Sequence, residues 1–306
     1  MAKINKKGDF KGKVGNLVYR EINGKAIVQS GPGRVKQTLA SKLAAQEFAM
    51  ASNAAAILRK IGIFLYEYSD GQVSGRLNAV LRHCLKEVDR AVGERTVADI
   101  DPSPLAGFQF NMDAPFERCL NKAMQVSVSK EGSITVSITK LSPNMDIPFL
   151  EIMAKTTLTV ACSLRLAAIS VNYRAGEWNM LQLDEMELAT RTNWKLGPRD
   201  IHWTCLKRLE EKDFVLLYGS LHYYREDFLG QKKYVAERQY SPAAILTAFR
   251  VDEQIYMLNK ALTAEDEQYL PFRAKEKFYD ITDEKLRIMA DIQAKEEKKK
   301  KRKKTR

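Results

Sequence analysis

From Met124 onward apolar and polar residues alternate along the chain. Met124, Val126 and Val128 are interleaved with Gln125, Ser127 and Ser129. Glu131-Gly132 turns, and Ile134, Val136 and Ile138 resume the alternation. The pattern returns at Leu158, Val160, Cys162, Leu164 and Leu166, opposed by Thr157, Thr159, Ala161, Ser163 and Arg165. Shorter runs follow at Ile169–Tyr173, Met186–Thr192, His202–Leu206, Phe214–Tyr218, Leu221–Tyr224, Lys233–Gln239 and Ala248–Val251. Successive side chains of a strand point to opposite faces, so one-faced alternation over many short runs predicts antiparallel sheets packed face to face. Residues 120–252 are therefore expected to form a β-sandwich, Ig-like or jelly-roll-like. No βαβ rhythm interrupts them, which counts against a doubly wound nucleotide-binding fold.

Ahead of the sandwich the period is different. Residues 1–36 read as a β-ribbon arm: Val14, Leu17, Tyr19 and Ile22 precede Asn23-Gly24, a favoured tight-turn pair, and Ala26, Ile27 and Val28 follow. Gly12 and Gly15 would allow a bulge or a close backbone approach, and Ser30-Gly31-Pro32-Gly33 ends the ribbon. Residues 37–95 read as a helical hairpin. A helix capped by Thr38 or Ser41 runs to about Ile61 on an alanine-rich sequence, and a second covers Val73–Val92 with Leu77, Leu81, Leu85 and Val88 on one stripe. Residues 96–119 read as a linker, with Asp101-Pro102-Ser103-Pro104 in its middle. Residues 253–306 read as a C-terminal extension: a short mixed segment, an exposed helix at Asp283–Lys301 and a basic tail. The fold class expected is α+β.

Charge narrows the partners. The 306 residues carry 50 Lys+Arg against 38 Asp+Glu, a net charge of +12. Met1–Lys42 holds ten basic and two acidic residues, a balance of +8, and Lys295–Arg306 holds nine and two, a balance of +7, which leaves about −3 for everything between. Such ends favour a polyanion or an acidic protein surface, with an attraction that weakens in salt; a solubilising tail is the alternative for Lys298–Lys304. No secretory signal is read at the N-terminus, and no apolar stretch reaches the ~20 residues that span a bilayer. With 45% apolar residues the chain can bury a core, and a cytoplasmic protein, or a virion protein if phage-encoded, is expected. Cys84, Cys119, Cys162 and Cys205 are widely spaced with no CxxC, so four free, mostly buried thiols are expected rather than a disulfide framework or metal ligands.

Little in the sequence points to catalysis. No GxxxxGK[ST] or HExxH occurs, and no GxSxG marks a nucleophile. His83, His202 and His222 read as structural or surface residues. Asp184, Glu185 and Glu187 form the densest acidic cluster and are more simply solvated charges. Tyr218, His222, Tyr223, Tyr224 and Phe228, near Arg225, Lys232, Lys233 and Arg238, form either a stacking face for bases or sugars or the core of the sheet. No cofactor, metal or catalytic residue is assigned, and whether the chain is an enzyme is left open.

The stretch Phe10-Lys11-Gly12-Lys13-Val14-Gly15-Asn16-Leu17-Val18-Tyr19, continued by Asn23-Gly24-Lys25, Ser30-Gly31-Pro32, Thr38 and Phe48, resembles an uncharacterised family of Bacteroidota genomes and their mobile elements. Members open with a GKxGxV ribbon, an R-S-x-P motif and a helix starting near T-x-x-Q. This chain departs from the pattern at Gln29, Ser41 and Ala45. The resemblance covers about 45 residues, implies one continuous ribbon-helix-sheet architecture and a bacterial or phage-like source, and supplies no catalytic residue.

These readings lead to a non-enzymatic structural or assembly protein, phage-like or of a bacterial mobile element. It would self-associate through Gly12, Lys13, Val14, Gly15, Asn16, Val18, Tyr19, Asn23 and Gly24, with copies of itself or an assembly protein as partner and no membrane. The alternative is a nucleic-acid-binding accessory protein using Lys11, Lys25, Arg34, Lys36, Lys298, Lys299, Lys300, Lys301 and Arg302 as polyanion contacts.

Overall fold

The structure, a computed structural model, describes residues 3–4, 8, 10–22, 25–31, 37–66, 68–150, 152, 161–189, 197–226, 229, 231–235, 237–263 and 272–275. Helix α1 spans Leu39–Gly62. Thr38 Oγ1 accepts a hydrogen bond from Ser41 N at 3.2 Å, so the cap falls on Thr38. The alanines of α1 let its backbone lie close to its neighbours: Ala51, Ala54 and Ala55 are buried with Leu58 and Ile61. Helix α2, Val73–Glu87, buries Leu77, Leu81 and Leu85.

The main sheet is antiparallel. Its central strands are β7 (Ala161–Asn172), β8 (Glu177–Ala189) and β10 (Phe214–Glu226). The other edge of β10 is shared by β12 (Ala243–Arg250) and β11 (Lys232–Tyr234), while β13 (Phe272–Lys275) lies outside β8. A separate three-stranded sheet has the order β5 (Gln125–Val128), β6 (Ile134–Leu141), β9 (Arg199–Cys205).

The alternation along β7 and β10 divides the core in two. Ala167, Ile169 and Val171 of β7, with Phe214, Leu216 and Tyr218 of β10, pack in one cluster with the helices. Cys162, Leu164, Leu166 and Ala168, with Val215, Leu217, Leu221 and Tyr223, pack in the other with Ile134, Val136 and Ile138 of β6 and Trp203 of β9. The result is three layers: helices, main sheet, small sheet. The β-sandwich-like pair of sheets is present, and the sheet shared with the helices is covered on both faces. In β7 only Arg165 and Asn172 escape full burial.

Residues 97–116, linker-like in sequence, contribute Val97, Ile100, Leu105, Phe108 and Phe110 to the helix-side core. Phe110 stacks on Tyr218 with ring centroids 5.7 Å apart. A helical turn, α3 (Phe116–Cys119), and another, α4 (Pro143–Asp146), flank the small sheet's first two strands. Helix α5, Glu253–Leu262, begins at Asp252, whose carboxylate accepts from Ile255 N at 2.8 Å.

Several expected boundaries change. The two runs Leu158–Leu166 and Ile169–Tyr173 belong to one strand where they are described. So do Phe214–Tyr218 and Leu221–Tyr224, because Gly219 passes beneath Leu246: a Cβ there would lie 2.6 Å from Leu246 Cδ1. The mixed segment after the sandwich contains α5, and β13 has no counterpart in the sequence reading. The exposed helix expected at Asp283–Lys301 and the basic tail lie outside the described residues.

The chain forms two compact units, Met1–Leu43 and Ala44–Arg306. The first contains a four-stranded antiparallel ribbon in the order β1 (Lys3–Ile4), β2 (Phe10–Val14), β3 (Leu17–Ile22), β4 (Lys25–Ser30).

Candidate functional site

The ribbon has more strands than the hairpin read from sequence, because Gly15-Asn16 is a turn within what was read as one strand. Val14 pairs with Leu17, leaving Gly15 and Asn16 as a two-residue loop, and Gly15 supplies its positive φ of 58°. Gly31 amide donates to Asn16 carbonyl, and a Cβ at Gly31 would lie 3.0 Å from that oxygen, so the chain leaves the ribbon by a close backbone approach.

Register sorts the ribbon's side chains. Directly paired residues of an antiparallel ladder share a face, and alternate residues along a strand return to it. The pairs are Ile4 with Phe10, Val14 with Leu17, Gly12 with Tyr19 and Tyr19 with Val28. One face therefore carries Ile4, Phe10, Val14, Leu17, Tyr19 and Val28, with Gly12, Ala26 and Ser30 between them and the Glu21 position towards its end. Lys3 with Lys11, Lys13 with Val18, and Arg20 with Ile27 define the other, which Lys25 joins through its pairing with Ile22. The second face therefore holds Lys3, Lys11, Lys13, Arg20 and Lys25 around Val18 and Ile27.

The apolar face is open. Ile4 is 66% exposed, Phe10 51% and Val28 52%, and Val14 and Leu17 are exposed too. Its one described aromatic contact is Phe10 with Tyr19, centroids 5.5 Å apart. All five cations of the opposite face are exposed. None takes part in an ion pair formed among the described residues.

Of the residues singled out from sequence, the structure brings Gly12, Lys13, Val14, Gly15, Asn16, Val18 and Tyr19 together with Lys11 and Lys25. It divides them between turn and faces: Val14 and Tyr19 on the apolar side, Lys11, Lys13, Val18 and Lys25 on the basic side. Asn23, Gly24, Arg34, Lys36, Lys298, Lys299, Lys300, Lys301 and Arg302 lie outside the described residues. Sequence reasoning missed Ile4, Phe10, Leu17 and Val28 as one face and Lys3, Lys13 and Arg20 as the other. The signal was the parity of Phe10-Lys11-Gly12-Lys13-Val14, which becomes readable once Gly15-Asn16 is taken as a turn.

The body gathers polar groups that serve each other. Glu185 accepts from Arg165 at 2.9 Å and from Ser163 at 2.8 Å. Burial raises its carboxyl pKa, but these bonds and the charges of Arg165 and Lys232 outweigh that and hold it below the usual range. Glu187 accepts from Tyr224 at 2.9 Å and pairs with Lys232 at 3.2 Å, and Asp184 accepts from Trp203 Nε1 at 2.7 Å. The acidic cluster thus ties strands together. Tyr218, Tyr223 and Tyr224 are buried and form core rather than a stacking surface.

His83 and His202 are exposed, and His222 is buried. His222 Nε2 lies 2.8 Å from both Ser220 Oγ and Leu65 carbonyl. That carbonyl can only accept, so Nε2 carries the proton and the ring fastens the end of the helical segment to β10. Burial, helped by Arg165, lowers its pKa to about 4. All four cysteines are free and buried. Burial pushes the Cys119 and Cys205 thiols up to about 12 and Cys162 higher still.

Among the described residues two open clefts stand out in the body. One of about 640 Å³ lies among Gln109, Phe116, Leu120, Met124, Val126 and Leu246, beside the outer strand β5. The other, of about 510 Å³, is lined by Asn172, Glu177, Asn179, Glu210, Asp213 and Tyr256. Among the described residues no group of three or more His, Cys, Asp or Glu could hold a metal ion, and no helix is long and apolar enough to cross a membrane. Comparison with known proteins finds no matching family model, no matching curated protein and no matching solved structure.

Proposed function

We propose that the protein is a non-enzymatic structural or assembly component that self-associates through its N-terminal ribbon, phage-like or of a bacterial mobile element as the resemblance implies. The observation that carries this reading is the open apolar face of Ile4, Phe10, Val14, Leu17, Tyr19 and Val28. The opposite face, with its cations, cannot be buried in an apolar layer without a large desolvation cost. A second ribbon stacked apolar face to apolar face covers both exposed surfaces, leaves both sets of cations in water and closes as a symmetric pair.

The size of the face sets the strength. Two strands about 20 Å long, one of about 17 Å and one of about 7 Å, set about 4.8 Å apart, present on the order of 300 Å² per copy, or roughly 600 Å² per pair, below the ~1,600 Å² of a standard stable interface. Association is therefore weak for an isolated pair and concentration-dependent. Light scattering on the intact chain and on a variant lacking residues 1–33 tests the reading. The intact chain should gain mass as its concentration rises and the truncated one should not. Two monomers at every concentration reject it.

A further inference from the structure

The basic face of the ribbon is a distinct surface that needs no second copy. Five cations occupy one side of a four-stranded sheet, and no described carboxylate shares that side. Lys3 stands directly opposite Lys11. Like charges at a directly paired position work against the ladder, and neither lysine gains a partner among the described residues to offset the repulsion. That leaves a surface whose own electrostatics are unfavourable until an anion covers it.

The spacing favours a repeating anion over an isolated one. Lys11 and Lys13, two residues apart on one strand, are separated by about 6.8 Å, and cations on neighbouring strands are offset by about 4.8 Å. Among the described side chains, those between them are the apolar Val18 and Ile27 and the amide of Gln29. There is little here to read a particular sequence or a compact polar ligand. A row of phosphates needs only this: exposed cations in register on one side of a sheet. An acidic membrane surface would draw on the broader apolar set as well, and register puts Ile4, Phe10, Val14, Leu17 and Val28 on the reverse side.

We propose that the face formed by Lys3, Lys11, Lys13, Arg20 and Lys25 binds the phosphate backbone of duplex nucleic acid without sequence preference. The self-association reading can fail while this holds, and the reverse is equally true.

The test is a fluorescence-anisotropy titration of a 5′-labelled duplex DNA with the intact chain at about 50 to 200 mM salt. It is repeated with Lys11→Gln/Lys13→Gln/Arg20→Gln, which leaves the basic tail unchanged. Each lost phosphate contact removes about 0.9 from the slope of log affinity against log salt, so the triple variant should have a slope shallower by about 2.7. Across that salt range the intact chain should lose about 40-fold more affinity than the variant. Lys11→Arg/Lys13→Arg, which keeps the charge, should keep the original slope. Leu17→Ser/Val28→Ser, on the apolar face, should leave the slope unaltered while reducing mass in light scattering, which separates the two surfaces. Equal slopes and affinities for the intact chain and the triple variant overturn the proposal, since the tail would then account for all binding. Absence of binding at the lowest salt overturns it as well, as does binding to phosphatidylserine vesicles with none to the duplex.

Discussion

Asn259 shows how much a single buried amide can organise. It is fully buried on α5, accepts from Leu209 N at 2.9 Å, and donates to Glu131 carbonyl at 3.1 Å and Lys207 carbonyl at 3.0 Å. Asn259→Leu leaves three backbone groups without their partner at about 1–3 kcal/mol each before relaxation. A loss of several kcal/mol in denaturant unfolding is expected, against about 1 kcal/mol for the exposed cap change Asp252→Ala. Equal, small effects would mean that water replaces the amide. His222 supplies a pH dependence. Its folded pKa of about 4 lies below the ordinary 6.5, so below pH 6.5 the unfolded chain takes up the proton first. Stability is complete above pH 6.5 and falls as pH drops toward 4, by on the order of 3 kcal/mol in all. His222→Gln should flatten that part of a stability-against-pH curve, and an unchanged curve would remove His222 as its cause. The buried thiols make a third expectation: a thiol reagent near neutral pH should label Cys119, Cys162 and Cys205 only after denaturation.

Elements were legible where one physical signal dominated. The alanine-rich run after Thr38 has strong helix propensity and a cap residue at its start, and α1 follows it. Period-two alternation located β5, β6 and β9, which pair within a small sheet with one face on the core. It misled where both faces are apolar. In β7, Ala167 and Ile169 serve the helices while Leu166 and Ala168 serve the small sheet, so local sequence offers no polar phase from which to time the strand. Gly219-Ser220 resembles a break because the reason for glycine, the overlying Leu246, is far away in sequence. The ribbon was legible as strands but not as faces, since that needs the Gly15-Asn16 turn to set the register. Gly219→Ala should destabilise β10 by forcing Leu246 out of its place, whereas Gly75→Ala, open on α2 with nothing near its added methyl, should be neutral or stabilising. Thermal unfolding of the two variants distinguishes them.

For the molecule as a whole, the division is between a body built around two buried apolar clusters and a ribbon that contributes no described residue to either. In the body Asp184, Glu185 and Glu187 are tied to named partners, and Tyr218, Tyr223, Tyr224 and the four thiols lie in the core. The ribbon leaves an apolar surface on one side and five cations on the other, a polarity that no amount of core packing in the body explains. Leu164→Ala, a truncation at a fully buried site, should cost about 2–5 kcal/mol of stability and leave association of the remaining folded protein unchanged. The measurement that bears most directly on the account is the concentration dependence of mass by light scattering for three chains: the intact protein, Leu17→Ser/Val28→Ser, and Lys11→Gln/Lys13→Gln/Arg20→Gln. From the 34.8 kDa single chain, the account predicts that mass climbs toward a pair in the intact and cation-depleted proteins and stays at one copy in the apolar-face variant. Identical behaviour of all three would contradict it.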